Sequence, residues 1–161
     1  MTSLVDILAL SGGGVISVVG AGGKTTLMER LAREILVRGE TVLITTTTKI
    51  MMPRGERPER VVISGQSGEV LELAKDLLSA SGRLTAASAY LPSQDKLVGF
   101  GAAQIEELEQ GNLFDWILVE ADGARRLPLK APAPHEPLVP SSSRWVVAVV
   151  GLDAIGQPLT D

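Results

Sequence analysis

The stretch Val15-Ile16-Ser17-Val18-Val19-Gly20-Ala21-Gly22-Gly23-Lys24-Thr25-Thr26-Leu27 joins an apolar run to a glycine turn and then to an amphipathic segment. An apolar β-branched run reads as a strand, and the spacing after Lys24 reads as a helix, so the chain is committed to a strand–turn–helix unit. Such a turn aims successive backbone N–H groups, and the positive end of the helix dipole, at one point. Glycine lets the backbone approach an anion closely and take positive φ without strain. Lys24 is placed to neutralise a terminal phosphate, and the Thr25 hydroxyl to ligate Mg²⁺. Gly20, Ala21, Gly22, Gly23, Lys24, Thr25 and Thr26 are therefore the expected nucleotide-binding residues. The competing reading is a glycine-rich turn that carries no ligand.

The loop is short. The commoner phosphate loop wants a glycine at position 18, and Val18 stands there inside the strand. The pattern Gly20-x-x-Gly23-Lys24-Thr25-Thr26 instead resembles the loop of the Mur ligases and folylpolyglutamate synthetases, which bind ATP.

At 161 residues the chain is long enough for one domain with a substantial core. Hydrophobic residues make up 45% and charged residues 21%, a globular balance, while aromatics supply only 3%, so Val, Leu, Ile and Ala must build the interior. A net charge of −4 without any Lys/Arg block argues against nucleic acid as a partner. The absence of cysteine excludes disulfides, thiolate metal sites and a cysteine nucleophile. Asp6 ahead of the first apolar run and the lack of a basic start argue against a signal peptide, and no apolar stretch reaches membrane-spanning length. A cytoplasmic protein is expected.

Residues 3–10 suggest a short helix capped by Ser3 and closed by Gly12-Gly13-Gly14. The first strand is expected at 15–19 and the first long helix at 24–38, with Leu27, Met28, Leu31, Ala32, Ile35 and Leu36 on one face and the pairs Glu29–Arg33 and Arg30–Glu34 outside. An unbroken β-branched run at 41–46 reads as a buried parallel strand. Residues 51–60 read as a basic, proline-containing loop, 61–63 as a short strand, 67–80 as a helix, 83–91 as a strand and 102–109 as a helix. Strands follow at 116–119 and 145–150. The alternation implies right-handed crossovers and a phosphate-loop type α/β fold, an open, mostly parallel sheet with helices on both faces.

Three further segments bear on chemistry. Val119-Glu120-Ala121-Asp122-Gly123 ends a hydrophobic strand in two acids, and a strand delivers such acids to the carboxyl edge, where open α/β sheets bind ligands. Glu120 and Asp122 are two apart and point the same way in an extended chain, so with Thr25 they form the candidate Mg²⁺ set. Thr45-Thr46-Thr47-Thr48-Lys49 leaves the second strand, and Thr47 and Thr48 are candidates for the γ-phosphate or the metal's water. The proline-stiffened run from Ala124 to Pro137 carries Arg125, Lys130 and His135, which are candidates for gripping phosphate or an anionic second substrate and for acid–base work. Each has a plainer alternative: a solvated strand end, β-propensity of threonine, or a surface connector.

Taken together, Val18-Val19-Gly20-Ala21-Gly22-Gly23-Lys24-Thr25-Thr26, Ile44-Thr45-Thr46-Thr47-Thr48-Lys49-Ile50, Ile117-Leu118-Val119-Glu120-Ala121-Asp122-Gly123-Ala124-Arg125, and the stretch from Leu127-Pro128-Leu129-Lys130-Ala131-Pro132 through His135-Glu136-Pro137 to Val150-Gly151-Leu152-Asp153-Ala154 resemble the YqeC family. The resemblance covers nearly the whole chain. It implies an accessory protein that uses ATP and Mg²⁺ in maturing a selenium-dependent molybdenum hydroxylase, with that hydroxylase or its cofactor precursor as partner. It also implies a single nucleotide-binding domain over 1–161 that is cut short at its C-terminus. Two other functions stay open: a nucleotide-gated carrier of cofactor or metal without efficient turnover, and a Mur-like ATP-dependent ligase. A GTPase is disfavoured because no Asn-Lys-x-Asp segment is present.

Overall fold

The computed structural model describes residues 3–53, 61–123, 127–131, 134 and 136–156. Six strands form one all-parallel sheet in the order β4-β5-β2-β8-β1-β9: β1 (Gly14–Gly20), β2 (Val42–Thr46), β4 (Val61–Ile63), β5 (Arg83–Ala87), β8 (Trp116–Glu120) and β9 (Ser143–Val149). Helices α1 (Leu4–Ile7) and α2 (Lys24–Val37) pack on one face, and α3 (Ser67–Ser81) and α4 (Ala102–Gln110) on the other. The α/β architecture expected from the alternation is the one observed.

Strand geometry explains both cores. Successive side chains alternate between faces, so Val15, Leu43, Ile117 and Val119 join α3 and α4, whereas Ile16, Val18, Ile44 and Leu118 join Met28, Leu31 and Ile35 of α2. Each fully buried aliphatic side chain contributes roughly 1.5–3 kcal/mol, and every residue of β2 is buried. Strand β1 lies between β8 and β9. From β1 the chain runs to β2 on one side, and from β8 it runs past β1 to β9 on the other. Connections leave the carboxyl edge in opposite directions there, which is where open α/β sheets form their ligand crevice.

Several expectations change in detail. The helix over 3–10 is a single turn, because Ala9 takes φ +51° and brings Leu10 back into the core, where its N–H donates to Val5 O at 2.9 Å. Ser3 stands at the N-cap as expected, but its side chain makes no cap bond. Its hydroxyl donates to Glu34 on α2 at 2.7 Å. Glu29 pairs with Arg83 at the start of β5, at 2.6 and 2.9 Å, rather than with Arg33, whereas the Arg30–Glu34 pair forms at 2.6 Å. The strand over 83–91 breaks at Ser88, whose hydroxyl donates to Val98 O and Gly99 O. Beyond the break, β6 (Ala89–Leu91) joins β3 (Lys49–Met51) and β7 (Lys96–Val98) in a small antiparallel sheet of order β3-β7-β6. β3 also takes Met51 out of the expected loop; residues 54–60 lie outside the described residues. No helix among the described residues is long and apolar enough to cross a membrane.

Glu34 fastens the N-terminal turn. Burial pushes its carboxyl up, but hydrogen bonds from Ser3 Oγ, the Val5 N–H and Arg30 Nε hold its pKa down at about 2, from 4.5. A carboxyl with a depressed folded-state pKa adds stability above its unfolded value and loses it as pH falls through the folded one. The wild-type chain is therefore expected to lose more stability than Glu34→Gln between pH 5 and about 2.5. Urea unfolding at the two pH values checks this; equal losses would contradict it.

Candidate functional site at the carboxyl edge

Three strand ends converge at the site. Glu120 stands opposite Val18 on one side and Thr46 on the other, and Gly20 stands opposite Val149. The chain turns out of β1 through Gly20 (φ +93°), Gly22 (φ +72°) and Gly23 (φ +121°), then enters α2 at Lys24. Two glycines are required by close approach as well as by φ. A Cβ on Gly20 would lie 2.2 Å from Val149 O, and one on Gly22 would lie 2.4 Å from Gly151 Cα and 2.9 Å from Pro128 O. A Cβ on Gly23 would meet nothing within 4 Å among the described residues, whereas Gly20 and Gly22 are buttressed from behind.

The amide of Ala21 donates to Val149 O at 2.8 Å and that of Gly20 to Asp122 Oδ2 at 2.7 Å. Among the described residues, no acceptor meets the N–H groups of Gly22, Gly23, Lys24, Thr25 or Thr26. The cap residue is glycine, without a side chain to satisfy them, and the first turn of this 14-residue helix holds no acid. Donors left unmade at a helix start form a site for an anion.

Lys24 folds back over this loop. It is 4% exposed, and its Nζ donates to Gly20 O at 2.7 Å, pairs with Asp122 Oδ1 at 2.8 Å and lies 3.7 Å from Glu120 Oε1. The Thr25 hydroxyl donates to Glu120 Oε2 at 3.3 Å. Burial pushes the Glu120 carboxyl above the ordinary carboxylate range; Lys24 and Thr25 pull it down, and the charge on Asp122 pushes it up. The structure thus brings together Lys24, Thr25, Glu120 and Asp122 from two segments about a hundred residues apart in sequence. Thr25 Oγ1 and Glu120 supply hard oxygen donors side by side, the chemistry Mg²⁺ prefers, and Mg²⁺ commonly takes only one or two protein carboxylates with phosphate and water completing its shell. Asp122 Oδ2 accepts from the Gly20 N–H, while Oδ1 meets Lys24 as an ion pair at 2.8 Å and, among the described residues, takes no hydrogen bond.

The remaining candidates divide. Thr47 and Thr48 stand beside Glu120, and their hydroxyls are engaged, Thr47 Oγ1 donating to Leu138 O at 2.7 Å and Thr48 Oγ1 lying 3.2 Å from Thr46 Oγ1. Lys130 reaches the carbonyl of Gly123 and Glu136 Oε2, so it staples its own loop next to the acids. Arg125 and His135 lie outside the described residues. Pro128 and Gly151, joined by a Gly151 N–H to Pro128 O bond of 2.7 Å, form the wall behind Gly22. Sequence reasoning assigned them no role; a lone glycine just past a strand end is the signal of close backbone approach that marks Gly151.

A second glycine run, Gly12-Gly13-Gly14, lines a crevice of about 390 Å³ at the opposite, amino edge of the sheet. Glu40, Glu109 and Asp115 surround it, and Arg144 Nη1 donates to Gly12 O and Gly13 O at 3.4 and 3.2 Å. Three carboxyl-bearing residues, beside an arginine already bonded to backbone carbonyls, suit phosphate poorly, whereas the carboxyl-edge loop presents N–H groups.

Fold and site together define an open parallel α/β protein with a glycine loop at the carboxyl edge whose lysine is held by two carboxylates, one at the end of the neighbouring strand and one just beyond it. The family model described as "YqeC protein" matches residues 16–161. A protein of Escherichia coli (strain K12) named "Uncharacterized protein YqeC" is 40% identical over 157 residues, covering 98% of this chain and 59% of its own length. The chain belongs to the YqeC family, and it spans about three fifths of the length of that curated relative. No solved structure matches it.

Proposed function

We propose that the chain binds ATP with Mg²⁺ at the carboxyl edge and hydrolyses it, or transfers its phosphoryl or adenylyl group, in the maturation of a selenium-dependent molybdenum hydroxylase. The observation that carries the nucleotide reading is the row of N–H groups from Gly22 to Thr26 that meet no acceptor among the described residues, beside a buried lysine and a Thr–Glu oxygen pair. On this reading those amides cradle the β- and γ-phosphates, Lys24 neutralises the terminal one, and Thr25 and Glu120 hold the ion. Bound Mg²⁺ supplies charge stabilisation to the transferring phosphoryl group. The maturation role rests on what the resemblance of its motifs implies.

Arg125, Lys130 and His135 are proposed to serve the second substrate, with Lys130 acting through the loop it staples to Glu136. Arg125→Ala and Lys130→Ala are then expected to spare ATP binding more than turnover. Glu120→Gln is expected to keep the fold and lose Mg²⁺-dependent turnover, because the amide occupies the same volume without the charge that holds the ion. ATP turnover with and without a candidate cofactor precursor, followed by phosphate release, tests the enzyme reading. A rate raised by the precursor supports it, and binding without turnover favours the nucleotide-gated carrier.

A further inference from the structure

Asp122 closes a ring around one residue, Gly20. Its Oδ2 takes the Gly20 N–H at 2.7 Å, its Oδ1 pairs with Lys24 Nζ at 2.8 Å, and Lys24 Nζ returns to Gly20 O at 2.7 Å. The side chains of Lys24 and Asp122 are 3% and 4% exposed. In this arrangement the ammonium is turned toward the acids and the carbonyl behind the loop. Reaching a phosphate requires it to leave a buried carboxylate, with the carboxylate of Glu120 also close by at 3.7 Å. Stripping a buried carboxylate of its partner is strongly unfavourable, and an incoming phosphate adds further negative charge to the same place. A divalent cation at Thr25 and Glu120 removes that obstacle, because it sets positive charge beside the acids as the lysine departs.

Building on the phosphate-site reading above, we infer that Asp122 is a positioning residue that withholds Lys24 from phosphate until a divalent cation arrives, which makes binding of the nucleotide and of the ion mutually dependent. The bond from the Gly20 N–H to Asp122 does not involve the lysine, so it can hold the start of the loop while the lysine moves. Coupling between two ligands is reciprocal and typically amounts to about 5- to 150-fold in affinity. The geometry assigns this to Asp122 rather than to Glu120, since only Asp122 touches both the ammonium and the loop amide.

The test is calorimetric titration of ADP into the chain in Mg²⁺ and in EDTA, for wild type, Asp122→Asn and Glu120→Gln. Asparagine keeps an oxygen for the Gly20 N–H and gives up the charge that holds Lys24. Wild type is expected to bind at least about tenfold more tightly with Mg²⁺. Asp122→Asn is expected to bind ADP in EDTA at least about tenfold more tightly than wild type, and Glu120→Gln to show a clearly smaller gain. Equal gains in the two variants would reduce the effect to lost charge and overturn the inference, as would a wild-type affinity indifferent to Mg²⁺. A wild-type chain that binds ADP under neither condition overturns the phosphate-site reading itself and the inference with it. Nuclear magnetic resonance of the wild-type Lys24 side chain gives a readout independent of variant folding. Its signals should move when ADP is added with Mg²⁺ and stay when ADP is added with EDTA; movement in both contradicts the account.

Discussion

Lys24→Ala is expected to lose about 30- to several thousand-fold in affinity for Mg²⁺·ATP, the equivalent of about 2–5 kcal/mol for a desolvated charge-assisted contact. It is also expected to weaken the ligand-free fold. Lys24 is the buried partner of Asp122, and removing one member of a buried pair typically costs about 3–5 kcal/mol because the other charge is left unpaired. The two effects separate in a double variant. Lys24→Ala with Asp122→Asn leaves no stripped carboxylate at position 122, so it should regain much of the stability and none of the affinity. Calorimetry with ATP and urea unfolding on the single and double variants checks both halves. Full affinity in Lys24→Ala would remove the lysine from the phosphate site.

Gly22→Ala should be strongly damaging to the loop. A Cβ there would sit 2.4 Å from Gly151 Cα and 2.5 Å from Gly151 N, with φ at +72°. Left-handed backbone in a non-glycine residue costs roughly 1–2 kcal/mol, and forcing an extra carbon into packed backbone roughly 1–3 kcal/mol more. The loss of about 2–5 kcal/mol should come with loss of nucleotide binding, since the wall of Pro128 and Gly151 must move. Gly68→Ala in α3 is the matched control. Nothing lies within 4 Å of its added carbon and its φ is not positive, so stability should hold or rise by about 0.4–1 kcal/mol. Urea midpoints for the two variants decide it; similar midpoints would mean the loop is not buttressed as described.

The parts of the fold that depend on local pattern were legible in the sequence. The apolar face of Met28, Leu31 and Ile35 sets α2, the β-branched run sets β2, and the hydrophobic run of Trp116 to Val119 sets β8. The small antiparallel sheet was not legible, because each of its strands is three residues long: β6 and β7 pair as a short local hairpin, and β3 joins β7 across more than forty residues of sequence. The break at Ser88 follows from carbonyls of Val98 and Gly99 that no local spacing announces. At the site, residue chemistry and spacing singled out Lys24, Thr25, Glu120 and Asp122 as candidates. They did not reveal which acid takes which partner. Asp122 engages the loop amide and the lysine, and Glu120 meets the threonine, because β8 ends at Glu120 and the chain bends before Asp122. Lys130 read as a group for gripping phosphate or an anionic second substrate; its engagement with Glu136 depends on the path of a proline-rich loop that helix or strand periodicity does not describe.

The central claim is that the carboxyl-edge loop, and not the glycine run at the amino edge, receives a nucleotide's phosphates. The most direct measurement is a backbone amide titration by nuclear magnetic resonance with a non-hydrolysable ATP analogue and Mg²⁺. The account predicts that the amides of Gly22, Gly23, Lys24, Thr25 and Thr26 shift first and most, because those N–H groups gain the acceptors they lack. Shifts gathered instead at Gly12, Gly13, Gly14 and Arg144, or no saturable shift at the loop, would contradict it.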